Sequence, residues 1–298
     1  MPRSQDISAL KTVRDLVRWG ASEFGRAGLH FGHGTDNALD EAFHLVLHAL
    51  HLSSDLPALY LEAAVTASER AAALKLLRQR VKTRKPAAYL LGRIEFCGLE
   101  FEVDERVLIP RSPIAELIVN QFSPWLTRAP SRILDLCAGS GCIGIACAQA
   151  FPQAAVDLGE LSAGALEICR RNIARHHLGE RVAAIKSDLF QALNGPYDLI
   201  VTNPPYVPVA EWKQLAAEYH HEPRMALAAG ADGMDIVARI LCDAPEYLAA
   251  GGLLVCEVGG SVEEFERRWP RLPVTWAEFE HGGDGVFLIT REDLIKSL

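Results

Sequence analysis

Apolar residues recur at helical spacing over residues 12–24, 39–52 and 68–82, three amphipathic stretches that predict helices packed around a small core. A glycine-rich passage, 25–34, separates the first two. The period then changes. From 89 to 109 the apolar positions Ile94, Phe96, Leu99, Phe101, Val103 and Val107 alternate around Cys97-Gly98, which predicts a β-hairpin. Beyond it the pattern becomes short continuous apolar runs separated by helical stretches. Runs at 131–137, 155–159, 181–186, 197–202 and 253–258 read as buried strands, a glycine turn opens a helix through 145–148, and 233–248 and 262–268 read as helices. Residues 274–279 and 285–290 read as a terminal hairpin. The fold class is therefore α/β, a Rossmann-like sheet of seven strands with one antiparallel, preceded by a small helical domain at 1–85 and a β-hairpin linker at 86–110, with the sheet domain at 111–298. Leu136 to Val156 lacks charge over a membrane-sized span, but its glycines, serine, glutamines and Pro152 make it a turn and a packed helix.

Composition narrows the partners. Thirty basic against 38 acidic residues leave a net charge of -8, so the chain has no general attraction to a polyanion and is steered towards a basic protein. Lys75, Arg78, Arg80, Lys82, Arg84 and Lys85 form a local basic cluster that reads as a solvated helix face. Seven cysteines without a Cys-x-x-Cys pair predict reduced thiols rather than a disulfide or zinc framework. His44 and His48 have the spacing of a helical zinc site, yet without a neighbouring Glu or third ligand they read as an ordinary pair, and no metal is expected. Arg3, Asp6, Lys11, Arg14 and Asp15 interrupt any apolar leader, consistent with a cytoplasmic protein that meets neither membrane nor DNA.

Candidate chemistry sits where strands end. The run 197–202 closes on Asn203-Pro204-Pro205-Tyr206. An amino group on an sp2 carbon is a poor nucleophile because its lone pair is delocalised. Accepting hydrogen bonds from both of its N–H groups turns the nitrogen towards sp3 and aims the lone pair at an electrophile. The Asn203 side-chain oxygen and the Pro204 carbonyl are two such acceptors, the rings of Pro204 and Pro205 fix the backbone that carries them, and Tyr206 offers a flat face. A plain Pro-Pro turn closing a strand is the alternative. Upstream, Gly139-Ser140-Gly141 follows the run 131–137 and opens a helix, a turn in which glycine lets a ligand approach the backbone. Gly139, Gly141 and Gly144 also spell a dinucleotide-binding pattern, with Glu160 about twenty residues on, so a nicotinamide dehydrogenase competes. Asp135, four residues before the first glycine, suits a cationic ligand better than a pyrophosphate. Glu160 can take two ribose hydroxyls, with Asp157 as a fallback; Asp188 can accept from an adenine amino group while Leu189 covers the ring, or can simply cap a turn.

Asp135-Leu136-Cys137-Ala138-Gly139-Ser140-Gly141, Glu160, Asp188 and Asn203-Pro204-Pro205-Tyr206 together resemble class I S-adenosylmethionine-dependent methyltransferases, specifically the protein glutamine methyltransferases of the HemK type. Phe96-Cys97-Gly98, Val107-Leu108-Ile109-Pro110-Arg111, Glu222-Pro223-Arg224, Gly230-Ala231-Asp232-Gly233 and the stretch from Gly251 to Gly259 are similar as well, so the likeness runs from about residue 85 to the end. Arg111-Ser112-Pro113-Ile114-Ala115-Glu116 and Phe279-Glu280-His281-Gly282-Gly283 resemble the branch acting on large-subunit ribosomal protein L-three more than the release-factor branch. The resemblance implies S-adenosylmethionine as donor, S-adenosylhomocysteine as product, Asp135, Gly139, Ser140, Gly141, Glu160, Asp188, Leu189 and Asn203 around the cofactor, and Asn203, Pro204 and Tyr206 as the catalytic clamp. Pro205, Arg111 and Glu222 would line the peptide groove, the last two having an ion pair with each other as their alternative. The helical domain would recognise a basic ribosomal protein, either free or within an assembling particle; release factors, a nucleic-acid base amine and a non-catalytic assembly role are the alternatives. Two departures stand out: Cys137 replaces a usual glycine, and Glu160 replaces a usual aspartate.

Overall fold

A computed structural model describes residues 7–280 and 282–297; Arg3, Asp6 and His281, used above, lie outside them. The chain forms two compact units, one of residues up to 93 with Ala216–His221 and one of Ile94–Leu215 with Glu222 onwards.

The first unit is helical: α1 Val13–Arg26, α2 Ala38–Ala49, α3 Ala67–Thr83 and α4 Ala87–Leu91. Thr12 and Thr66 start α1 and α3 through reciprocal capping boxes with Asp15 and Glu69. Leu16, Phe24, Leu45, Val46 and Leu77 fill the core. A Cβ at position 20 would lie 2.7 Å from Leu77, so glycine is what lets α1 approach α3. The basic cluster does not form one solvated face. Lys75, Arg78 and Lys82 are exposed, but Arg80 is fully buried, with Nε 2.6 Å from Glu41 Oε1 and Nη2 3.0 Å from the His30 carbonyl. Its Nη1 reaches Glu218 Oε1 at 3.4 Å, and Arg84 Nη2 reaches Glu218 Oε2 at 3.1 Å. Burial pushes the Glu41 carboxyl above its ordinary range, against the pull of Arg80.

In the second unit, the hairpin β1 Arg93–Phe96 and β2 Leu99–Glu102 turns at Cys97 and Gly98, both with φ above zero as a two-residue hairpin turn requires. Seven strands form one sheet, β3 Arg132–Leu136, β4 Ala155–Glu160, β5 Val182–Lys186, β6 Tyr197–Thr202, β7 Leu248–Glu257, β8 Thr275–Trp276 and β9 Val286–Thr290, in the order β5-β4-β3-β6-β7-β9-β8. Strands β3 to β7 pair in parallel, and β9 runs antiparallel to both β7 and β8. Helices α5 Ile114–Val119, α6 Cys142–Ala150 and α7 Ala163–Arg175 bury one core with one face of the sheet. After the short α8 Val209–Trp212, helices α9 Asp235–Tyr247, α10 Val262–Arg268 and α11 Arg291–Ser297 bury the other. Cover on both faces explains why the strands read as continuous apolar runs. The chain order reverses at β3, which pairs with β4 on one side and β6 on the other. Ligands of open α/β sheets bind at such a switch point, beyond the carboxyl ends of the strands.

The terminal hairpin is shorter than its pattern suggests, because β8 holds only two residues and the connection to β9 carries Gly282, Gly283 and Gly285 in the left-handed region. Among the described residues no helix is long and apolar enough to cross a membrane; the uncharged span from 136 is the end of β3, a turn, α6 and the start of β4.

Candidate functional site

Loops after β3, β4, β5 and β6 enclose a cavity of about 380 Å³, in the range of small-ligand pockets (~300–1,000 Å³). Cys137, Gly139, Glu160, Asp188, Leu189, Asn203 and Pro205 line it. Cys137 and Gly139 both adopt left-handed backbone (φ 61° and 55°), and a Cβ on Gly139 would meet nothing within 4 Å, so this glycine keeps the wall low on the cavity side. Gly141 and Gly144 are glycine for another reason: a Cβ there would strike Cys169 Sγ at 2.9 Å and Leu158 Cδ2 at 2.1 Å, so they let α6 pack against β4 and α7.

The acids divide into two groups. Glu160 takes the Gly139 N–H on Oε2 at 2.9 Å and the Ser162 N–H on Oε1 at 2.7 Å, which holds the carboxylate against the glycine turn. Asp188 faces the same cavity and pairs through Oδ1 with Arg239 Nη2 at 2.8 Å. The fallback acid Asp157 is engaged elsewhere, by the Tyr197 hydroxyl at 2.8 Å and Arg132 at 3.0 Å. Asp135 does not line the cavity: it is 1% exposed and accepts the Gly144 N–H at 2.8 Å, anchoring the start of α6. Burial, with the charge of Glu160 adding to it, pushes its carboxyl up to about 7. Ser140 is also buried, its carbonyl taking a bond from Asn172 Nδ2 at 2.9 Å.

Asn203 and Pro205 reach the cavity from the end of β6, and Pro204 is buried between them. Among the described residues the Pro204 carbonyl accepts no hydrogen bond. Tyr206 lies behind, half-buried, with its hydroxyl donating to Glu257 Oε1 at 2.9 Å and its ring against Gly259, where a Cβ would come within 2.7 Å. Arg111 and Glu222 hold each other in a two-pronged ion pair, at 2.6 and 2.7 Å, and the Ile109 N–H adds a third bond to Glu222 at 3.0 Å.

Two site residues escape the sequence pattern. Arg239 comes from α9, far from any strand end. Glu257 closes β7 and is 4% exposed; it accepts the Ser112 hydroxyl on Oε2 at 2.6 Å and the Tyr206 hydroxyl on Oε1 at 2.9 Å. Burial raises this carboxyl to about 7 against those two bonds and the field of Arg111. An acid ending an apolar strand is the same signal that marks Glu160, and it is present at Glu257.

A glycine turn after β3, acids at the ends of β4 and after β5, and an amide-bearing turn after β6 thus meet at one cavity beyond the carboxyl ends of the parallel strands, in a doubly covered α/β fold. Comparison with known proteins makes this particular. The methyltransferase small domain matches residues 115–231. The ribosomal protein uL3 glutamine methyltransferase of Francisella tularensis is 45% identical over 99% of this chain and 95% of its own length, and that of Bordetella pertussis 48% identical over 96% and 97%. In fold the chain is similar to the catalytic domain of hMettl16, solved in complex with a MAT2A 3'UTR hairpin, at a TM-score of 0.51 and 17% identity over 74% of this chain and 80% of that one. The chain belongs to the family of ribosomal protein uL3 glutamine methyltransferases.

Proposed function

We propose that this protein transfers a methyl group from S-adenosylmethionine to the side-chain nitrogen of a glutamine in ribosomal protein uL3, the substrate named for both relatives. The observation that carries the reading is Asn203 on the wall of a cavity it shares with Gly139, Glu160, Asp188 and Leu189. The residues fit the donor. Two carboxylates and a glycine edge without a Cβ suit a ribose, an adenine and a cationic tail, and a cavity of about 380 Å³ admits one such molecule. Bound there, S-adenosylmethionine supplies a methyl group made electrophilic by its sulfonium.

The chain's own residues do the rest by position. Glu160, fixed by the Gly139 and Ser162 N–H groups, keeps lone pairs for ribose hydroxyls, and Asp188 with Leu189 holds the base. The Asn203 side-chain oxygen and the Pro204 carbonyl accept the two N–H bonds of the glutamine carboxamide, which frees the nitrogen lone pair and stabilises the positive charge that develops on it. Tyr206, tied to Glu257, forms a fixed side to the clamp, and the proton leaves to water after transfer. Arg111 and Glu222 shape the peptide approach as a rigid pair. We assign substrate recognition to the helical unit and the reaction to the cytoplasm, where a basic ribosomal protein meets a chain of net charge -8.

Incubation with methyl-labelled donor and a ribosomal fraction tests this. Label that survives nuclease, disappears with protease and maps by mass spectrometry to a uL3 glutamine is the expected result; label lost to nuclease would move the substrate to a nucleic-acid base.

A further inference from the structure

The outer face of α3 carries charge that the methyl-transfer reading does not use. An open groove along it is lined by Arg70, Lys75, Arg78 and Lys82, together with Ala71 and Leu74, and among the described residues by no acid. Lys75, Arg78 and Lys82 stand three and four positions apart, so they share one side of the helix. From first to last they span about 10 Å, the length over which one strand of a nucleic-acid helix carries about three phosphates. The only acid on α3, Glu69, is turned back into the capping box, where its carboxylate takes the Thr66 N–H at 2.7 Å. Surface arginines elsewhere meet acids: Arg14, Arg106, Arg128, Arg171 and Arg175 all form ion pairs. Among the described residues the four cations of the groove form none. Arg70 is anchored by the Ser8 and Leu10 carbonyls, both at 3.4 Å, and Arg78 lies 5.9 Å from the Trp19 ring, so both charges are held at the groove without being neutralised. The net charge of -8 does not cancel this field, because at physiological salt exposed charges are screened beyond about 8 Å. The partner that fits is an anion extended along the helix. A basic ribosomal protein carries the same sign as this face and is repelled by it, whereas the RNA on which such a protein assembles is attracted. We propose that this face of α3 binds the phosphate backbone of RNA and so brings the enzyme to uL3 that is already RNA-bound. The second half of the proposal rests on the methyl-transfer reading, and the first half does not.

Fluorescence anisotropy of a labelled oligouridylate of about 30 nucleotides, titrated with the full chain from about 50 to about 200 mM KCl, tests the first half. Contacts from Lys75, Arg78 and Lys82 give an expected slope of log K against log salt of about -2, at ~0.7 for each phosphate contact on a single strand. In the double variant Lys75→Gln with Lys82→Gln, two exposed side chains give way to a residue of similar helix propensity. Its slope falls to about -0.7, and its affinity at the lowest salt drops at least about tenfold. A parent that does not bind below ~100 μM at the lowest salt, or a double variant with parental affinity and slope, overturns the proposal. Polyglutamate bound as tightly as the RNA assigns the face to an acidic protein and overturns it as well. The second half is read from kcat/KM for free uL3 and for uL3 bound to large-subunit ribosomal RNA. In the double variant the ratio of the RNA-bound to the free value falls at least about fivefold; a ratio within about twofold of the parent's overturns that half. A parent enzyme that transfers no methyl to uL3 in either form fails the functional reading, on which the RNA titration does not depend.

Discussion

In the proposed reaction Asn203 acts through one oxygen. Asn203→Ala deletes that acceptor and leaves Gly139, Glu160, Asp188 and Leu189 in place, so the expected change is a fall in turnover of ~10²–10³ with donor affinity nearly unchanged. Transfer of label from the donor to uL3, set beside calorimetric donor binding, measures both; a variant with parental turnover would dismiss the clamp. At this scale the sequence was readable wherever a residue's place follows from its own strand. Asn203, Glu160 and Asp188 each stand just beyond or at the end of an apolar run, and the sheet brings those ends to one cavity. Glu257 stands in the same kind of place, but its partners Ser112 and Tyr206 are 145 and 51 residues away along the chain, and only the folded sheet brings them to it. Asp135 shows the reverse case: the sequence places it by the glycine turn, and only the direction of its side chain, towards the Gly144 N–H, takes it out of the cavity. Gly259 is tied to this site by contact. A Cβ there would sit 2.7 Å from the Tyr206 ring, on a backbone already at φ 49°, so Gly259→Ala is expected to cost about 1–3 kcal/mol in chemical denaturation and to slow transfer by displacing Tyr206.

Elements in the helical unit depend on a buried charge cluster. Arg80 on α3 pairs with Glu41 on α2 and reaches Glu218 in the segment Ala216–His221, where Arg84 supplies the second positive charge; the side chains of Arg80, Glu41 and Glu218 are withdrawn from water. Arg80→Ala leaves Glu41 buried without its partner, and breaking a buried pair from one side costs about 3–5 kcal/mol. The expected outcome is that loss in urea denaturation, with faster amide exchange over residues 216–221; a cost under about 1 kcal/mol would mean that water reaches the cluster. The three long helices were legible, whereas the five-residue α4 lies inside the stretch read as a hairpin linker. One-sided periodicity and the Thr12 and Thr66 caps mark α1 and α3 within a few residues, and parallel strands covered on both faces announce themselves as apolar runs. Arg80 was not legible, because a cation at that spacing on a helix looks solvated until the neighbours of its face are known. Nor were α5 and α11, whose 6 and 7 residues are too few to establish a period. The two-residue β8 fell short of its pattern for a similar reason: glycines with φ of 85° and 101° pull the following chain out of the ladder that alternation alone would extend.

For the molecule as a whole, the two acids flanking the amide-bearing strand set the response to pH. Asp135 on β3 and Glu257 on β7 are both held near 7 chiefly by burial, from ordinary values of 3.8 and 4.5. Between about pH 4 and 7 the unfolded chain has released these protons while the folded protein keeps them, so the folded state binds more protons and its stability falls as pH rises. Each group adds a slope of about 1.4 kcal/mol per pH unit inside that window and none above it. The net charge of -8 at pH 7 acts in the same direction through self-repulsion. Glu41, also raised by burial, acts in the same sense, while Glu218, Asp104 and Asp198, whose carboxyls are lowered, act in the opposite sense only at lower pH, the last two weighing less because they are partly exposed. The ligand-free protein is therefore expected to have its highest Tm near pH 5 and a Tm that drops towards pH 8. Asp135→Asn keeps an oxygen for the Gly144 N–H while removing the titration, and it flattens part of that drop. The donor reverses the sign locally, since a cation in the cavity favours the charged carboxylates; the Tm gain on adding S-adenosylmethionine grows from pH 5 to pH 8, whereas the neutral-sulfur product S-adenosylhomocysteine gives a flatter gain. Scanning calorimetry across that range, with and without each ligand, decides the point, and a Tm that stays level or climbs from pH 5 to 7 in the free protein would show that water relieves both acids.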